Sequence, residues 1–387
     1  MKLEAIQAAL RDRQFDAWLF YDHHHHDDIA YSILGLPANM HVTRRWFYLV
    51  PANGEPVKLN NRVEPKHLGS LPGKQLHYGP WQELHSKLRE MLAPYKRVAM
   101  QYSPNNQIMY ISLVDGGMLE LVRSFGVEVV SSADLVAQFE ATLTDAQIAT
   151  HFAARDKVDA IVAAAFKEIA QRARNGGWDE FGVQQWFGEA FQREGLVTDD
   201  LPIVGVNSNS GDPHYGPTPA SSKPIRDGDF VLLDVWAKLD QSDAVFYDIT
   251  WTGSLGAPSR RHEEIFNIVR GARDAAVNAA KQGMAEKRRM EGWQIDDAAR
   301  NVITKAGYGD YFVHRTGHSI GVNVHGNGAN MDNLETHDVR EILPNTIFSV
   351  EPGIYLPEFG VRSEVDVLIR NSAAEVTGRV QNEIVIL

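Results

Sequence analysis

The chain has 387 residues, 44% hydrophobic and 23% charged, a globular composition long enough for two or three domains and a substantial core. It contains no cysteine, which rules out disulfides, thiolate metal sites and cysteine nucleophiles. A formal net charge of -12 argues against nucleic-acid and anionic-membrane partners, and no apolar run approaches the roughly 18 residues of a membrane span, so a cytoplasmic protein is expected.

The opening stretch reads as α/β. Residues 2–13 have helical spacing through Leu3, Ile6, Ala9 and Leu10, and Phe15 to Tyr21 reads as a strand. Strand-like runs follow at Arg45 to Val50, Arg97 to Gln101 and Gly126 to Ser131, with a helical pattern at Trp81 to Leu92. This predicts a mixed sheet flanked by helices over residues 1–140.

A long helix is predicted next. Thr144 to Gln147 forms a capping box, and Ile148, Phe152, Ile161, Ala165 and Ile169 recur at helical spacing until Asn175-Gly176-Gly177. The remaining chain, 141–387, is predicted to be a second domain that repeats its architecture. Helices at 144–174 and 179–194 precede strands at Phe230 to Leu239 and Ala244 to Leu255. Helices at Ser259 to Lys281 and Gln294 to Ala306 precede strands at Thr346 to Glu351 and Val361 to Ile369. Such a duplication builds a pseudo-symmetric α+β domain with a site between its halves.

Each strand pair carries two acids. A turn centred on Gln241 sets Asp234 directly opposite Asp248, with Cβ atoms about 5 Å apart. A turn between Pro357 and Glu358 does the same for Glu351 and Glu364. Taken singly, each acid reads as a solvent-facing residue of an amphipathic strand. Two symmetric pairs in apolar strands read as a site for a hard or borderline divalent metal. His314, His318 and His325 are interleaved with glycines, and His214 lies in Gly211-Asp-Pro-His-Tyr215. His85, His151 and His337 carry only the reading of surface or satisfied core histidines. No phosphate-binding loop is present.

The order Asp234, Asp248, His318, Glu351, Glu364 resembles the pita-bread metallopeptidases. The strings Gly228-Asp-Phe-Val-Leu-Leu-Asp234, Asp248-Ile-Thr250, His314-Arg-Thr-Gly-His318, Glu351-Pro-Gly-Ile-Tyr355 and Gly360-Val-Arg-Ser-Glu364 resemble its aminopeptidase P and prolidase branch. The likeness is strong over residues 141–387. Over 1–140 it is to the creatinase-type N-terminal domain, through Ile29-Ala-Tyr-Ser-Ile-Leu-Gly35. The resemblance implies hydrolysis of the bond before proline in a peptide, by hydroxide on two divalent ions per subunit, manganese before zinc, cobalt or iron, in a homodimer. It implies that Asp234 holds one ion, His318 and Glu351 the other, and that Asp248 and Glu364 bridge. Glu351 is then also the proton carrier, His325 and His214 steady the oxyanion and substrate backbone, and His314 and Tyr355 line the proline pocket. Arg362 reads either as a surface strand residue or as a partner of a metal-bound or substrate carboxylate. Two other classes stand beside this one: a creatinase-like hydrolase of a small C–N compound, and a non-catalytic binding protein on the same scaffold.

Three features depart from the family. The stretch from Asp234 to Asp248 is longer, which fits an extended hairpin tip at Leu239 to Asp243. Thr250-Trp251-Thr252 stands where Thr-Arg-Thr is common, and Trp251 reads as packing. Gly326 replaces an acid. The run His23 to His26 reads as a solvated loop, or as a segment reaching an active site.

Overall fold

A computed structural model describes residues 2–174, 177–371 and 373–387. The chain divides into two compact units, Met1–Glu140 and Ala141–Leu387.

In the first unit, helix α1 (Leu3–Asp12) leads into β1 (Ala17–Asp22), then α2 (Asp28–Leu34), β2 (Trp46–Pro51), β3 (Val57–Asn61), β4 (Lys74–Tyr78), α3 (Trp81–Leu92), β5 (Arg97–Met100), α4 (Gly116–Arg123), β6 (Glu128–Ser131) and a helical turn α5 (Ala133–Val136). The strands form one mixed sheet in the order β4-β3-β2-β1-β5-β6. β1 lies antiparallel to β2 and parallel to β5, and both of its faces are covered. That is why Ala17 to Tyr21 is a continuous apolar run rather than an alternating one. Leu19, Phe47 and Val98 pack under Leu84 and Leu88 of α3 and Met118 and Val122 of α4. The periodicity does not reveal β3 and β4, which are short and half polar, nor α2 and α4, which span two turns each.

The second unit opens with α6 (Asp145–Arg174). Its capping box forms as expected: the Gln147 N–H donates to Thr144 Oγ1 at 3.3 Å, and Gln147 Oε1 accepts the Thr144 N–H at 3.0 Å. Of the expected stop signal, Asn175 and Gly176 lie outside the described residues. Gly177 has φ +97° and donates its N–H to the Arg172 carbonyl at 3.2 Å, as a left-handed helix terminus does. Then come β7 (Trp178–Asp179), α7 (Glu180–Glu194), β8 (Leu196–Val197), β9 (Ile203–Val206), β10 (Pro224–Ile225), β11 (Phe230–Leu239) and β12 (Tyr247–Ser254). The second half carries α8 (Arg260–Ala285), α9 (Gly292–Lys305), β13 (Ser319–Ile320), β14 (Ile347–Val350), β15 (Gly353–Tyr355), β16 (Gly360–Arg362), β17 (Val365–Arg370), β18 (Ala373–Val376) and β19 (Val385–Ile386).

The halves repeat one plan. Val231, Leu233, Val235, Ala237 and Ile249 on the outer face of β11 and β12 pack under α6 and α7. Phe348, Val350, Val365 and Val367 on the outer face of β14 and β17 pack under α8 and α9. Trp251 shares that first outer face and packs there as expected. With the odd-numbered residues of β11 spent on the helix core, the even-numbered ones face inward, and strand alternation places the acids there. This is the pita-bread arrangement, a creatinase-type α/β unit preceding a pseudo-symmetric α+β unit.

One register differs from expectation. The ladder pairs Asp234 with Thr250 and Trp236 with Asp248, so the turn is centred on Ser242 and the two aspartates are diagonal rather than opposite. Such neighbours stand roughly 7–8 Å apart along the backbone, still within side-chain reach. The cause lies past the turn. Val245 donates its N–H to Thr150 Oγ1 at 3.0 Å and Phe246 to the Gly321 carbonyl at 3.0 Å. Both side chains pack with Ile148, Ile320, Ile347 and Leu368. Ala244 to Phe246 therefore leave the hairpin and β12 begins later. The second pair keeps its expected register: Val350 faces Val365 and Gly353 faces Arg362, which brackets Glu351 opposite Glu364.

Candidate metal centre

Glu351 sits between β14 and β15, where Pro352 interrupts hydrogen bonding, and Glu364 sits between β16 and β17. His318 is brought to them by Gly317, whose missing side chain matters. A Cβ there would lie 1.9 Å from the Ser349 carbonyl oxygen. The close approach lets the His318 N–H donate to Ser349 Oγ at 2.9 Å, while Ser349 Oγ donates to Glu351 Oε1 at 3.1 Å.

His318 Nε2 stands 3.4 Å from Glu351 Oε1 and 3.6 Å from Asp248 Oδ2. Asp248, His318 and Glu364 each offer a ligand atom within 4.8 Å of the others. Asp234 is turned aside from that group. Its Oδ2 is paired with Arg362 Nη2, and its Oδ1 is 3.2 Å from Thr250 Oγ1. Arg362 is 3% exposed, so the surface reading of this residue does not hold. It also donates from Nη1 to the Tyr355 hydroxyl at 3.0 Å and from Nε to Thr250 Oγ1 at 3.1 Å. His314 Nε2 is 2.7 Å from the same Tyr355 hydroxyl. A continuous polar chain thus runs from His314 through Tyr355 and Arg362 to Asp234.

Burial raises the carboxyl pKa values of Asp248 and Glu364 well above the usual range, and the neighbouring Asp234 and Asp248 carboxylates respectively raise them further. Glu351 is pushed up to about 7, chiefly by burial. Burial also pushes the His318 and His314 rings down, His314 to about 3, which keeps His318 Nε2 free as a ligand. Asp248 Oδ1 and Glu364 Oε1 are buried without a hydrogen-bond partner. A cluster of desolvated carboxylate oxygens with an imidazole nitrogen and two unsatisfied oxygens is the donor set a divalent cation requires. The residues fit such an ion.

The profile of metallopeptidase family M24 matches residues 154–371. This chain belongs to metallopeptidase family M24. Membership implies divalent metal ions, in agreement with the donor set. The chain is 38% identical to an Xaa-Pro dipeptidase of Lactobacillus helveticus over 163 residues, 42% of this chain and 40% of that one. It is 34% identical to an Xaa-Pro dipeptidase of Pyrococcus furiosus over 183 residues, 47% of this chain and 48% of the relative. The matched stretch thus spans about half or less of these relatives' length. The fold is shared with dipeptidase PepE from Mycobacterium ulcerans, with a TM-score of 0.71 and 23% identity over 100% of this chain and 96% of the other. It is also shared with a prolidase from Thermococcus sibiricus, with a TM-score of 0.65 and 22% identity over 100% and 98%.

Around this M24 centre, the His325 ring stands against His318 with centroids 4.3 Å apart and is itself exposed. His214 is exposed in the loop whose Pro213 carbonyl accepts from Arg362 Nη1 at 3.3 Å. Its charge acts on both His314 and His325.

Two inward-facing residues escaped the sequence reading. Thr250 Oγ1 is 2.7 Å from Glu364 Oε2, and Asp366 Oδ2 accepts the Asp248 N–H at 2.9 Å. Each lies two positions along the chain from an acid, and that spacing was the available signal. His151 is a satisfied core histidine, 2.6 Å from the Phe246 carbonyl and 2.8 Å from Thr377 Oγ1. Among the described residues, no helix is long and apolar enough to cross a membrane. The His23 to His26 run winds round Asp22, whose carboxylate accepts the N–H groups of His25, His26 and Asp27.

Proposed function

We propose that this chain is a metal-dependent peptidase that hydrolyses the peptide bond before proline. The observation that carries the reading is the buried Asp248, His318 and Glu364 cluster with its two unpartnered oxygens and Glu351 beside it, together with relatives named as Xaa-Pro dipeptidases. Asp234, Asp248, His318, Glu351 and Glu364 would hold two divalent ions, and manganese suits these oxygen and imidazole donors. When bound, such ions polarise the scissile carbonyl and acidify a water enough for attack near neutral pH.

The chain's own residues supply the rest. Glu351 takes a proton at its carboxylate and returns it to the leaving proline nitrogen. His325 and His214 donate to the developing oxyanion and the substrate backbone. His314 and Tyr355 form the wall for the proline ring. Arg362 holds Asp234 in place and has one Nη2 N–H left for the substrate carboxylate, its Nε and Nη1 hydrogens going to Thr250, Tyr355 and the Pro213 carbonyl.

The test is direct. Chelated protein is expected to be inactive toward Ala-Pro and to recover with manganese, and Ala-Pro is expected to be cleaved far faster than Ala-Ala. Full activity in protein verified to be metal-free overturns the metal reading and favours the creatinase-like one. Equal rates on the two dipeptides remove the proline specificity.

A further inference from the structure

The inner face of β11 reads Asp234, Trp236, Lys238 from the centre of the site to its edge. Its Asp234 end is tied to Arg362, Tyr355 and His314. Its other end is built differently. Trp236 lies opposite Asp248 in the ladder, and its indole N–H donates to Asp199 Oδ1 at 2.7 Å. Asp199 follows β8, which pairs with Lys238 and Leu239, so its loop is fixed to this edge of the sheet.

Asp199 is exposed, and among the described residues it forms no ion pair. Its two hydrogen bonds, from Trp236 and from the Asp200 N–H at 3.1 Å, both use Oδ1 and leave Oδ2 uncommitted. The Lys238 ammonium feels the Asp199 charge but forms no ion pair with it: it donates to the Val322 carbonyl at 2.7 Å and stands over the Phe246 ring. The Asp199 charge nonetheless acts on His325, which packs against His318. A carboxylate at the end of an indole wall, one residue pair out from the acid cluster, is a subsite for a long side chain with an apolar stem and a cationic tip.

We propose that Trp236 and Asp199 select a basic side chain, lysine or arginine, on the residue before the scissile bond. The inference rests on the Xaa-Pro peptidase reading. With proline at the Arg362, Tyr355 and His314 end and the carbonyl at the acid cluster, the preceding residue is directed along β11 toward Trp236. Its stem lies on the indole, and its charged tip meets Asp199 Oδ2. The net charge of -12 favours approach of cationic peptides to the protein.

The experiment compares Lys-Pro with norleucyl-proline, which matches the stem and lacks the ammonium group, in the manganese-loaded protein. Wild type is expected to favour Lys-Pro by roughly tenfold in kcat/KM, mainly through KM, as for one charge-assisted hydrogen bond. Asp199→Asn keeps an oxygen for the Trp236 N–H and removes the charge. It is expected to bring the ratio close to one at an unchanged melting temperature. Asp199→Glu restores the preference, and Asp200→Asn leaves it intact. A wild-type ratio near one, or a ratio preserved in Asp199→Asn, overturns the subsite while leaving the peptidase reading in place. Wild type that cleaves neither dipeptide overturns both.

Discussion

The Thr250 hydroxyl joins the two halves of the site. It donates to Glu364 Oε2 at 2.7 Å and accepts from Arg362 Nε at 3.1 Å, and so couples a residue of the first strand pair to two of the second. In the sequence it is only a threonine two places after an aspartate, because a hydroxyl's role depends on what lies across the sheet. The histidines were easier to read, since four of them stand among glycines near acids. The structure divides them by burial. His318 is buried and His314 half-buried, and both are held neutral, whereas His325 and His214 stand exposed at the rim, where a substrate can reach them. His325→Ala and His214→Ala are each expected to lower kcat by about 10²- to 10³-fold, as for a lost oxyanion donor. Metal content measured by mass spectrometry should stay at the wild-type value. Loss of metal from either variant moves that histidine into the metal-holding group.

At the scale of the strands, alternation placed the acids on the correct faces and misplaced one pair along its axis. Val231, Leu233 and Val235 against Asp234 and Trp236 determine which residues point inward, since a slip of one position would expose the whole apolar set. A slip of two positions preserves every face. The pattern is therefore silent about it, and the docking of Val245 and Phe246 elsewhere settles the choice. The second hairpin has no such diversion, and its register follows from its turn. Asp248, like Glu364, is surrounded by like charge, with Asp234, Asp366 and Glu351 all raising its pKa after burial has done so. Asp248→Asn removes one buried titratable carboxyl and one metal ligand. Its metal-free form is expected to melt at or above metal-free wild type, and manganese should raise it little. Wild type at about 100 times the dissociation constant gains roughly 2.7 kcal/mol. A variant that melts well below wild type yet keeps the full metal-induced shift shows Asp248 to be structural.

For the whole molecule, the cluster makes metal binding and stability depend on pH in a stated direction. The folded metal-free protein keeps protons on Asp248, Glu364 and Glu351 that the unfolded chain releases near pH 4. Above that pH the folded state binds more protons than the unfolded one, so metal-free stability falls as pH rises through the raised pKa values, about 7 for Glu351. Metal displaces those protons, so its affinity grows with pH. His151 has the opposite sign. Burial lowers its pKa to about 4, and its contribution is lost as pH falls from about 6.5 toward that value, equally with and without metal. The manganese-induced rise in melting temperature is therefore expected to be larger at pH 8 than at pH 6, and calorimetry in buffers of different ionisation heat should detect proton release. Equal shifts and no released protons would mean that the carboxylates are already ionised in the metal-free protein.

Residue order alone determined the succession of elements, the duplicated halves and the inward face of each acid-bearing strand, because periodicity and capping are written in neighbouring residues. Helices α3 and α6 and strand β11 follow directly from such local patterns. Tertiary structure alone decided that Thr250, not Asp248, lies opposite Asp234, that Arg362 is buried against Asp234, and that Trp236 reaches Asp199. Those outcomes depend on side chains separated by up to 128 positions. Their energies arise only when distant strands meet, so no local pattern can encode them.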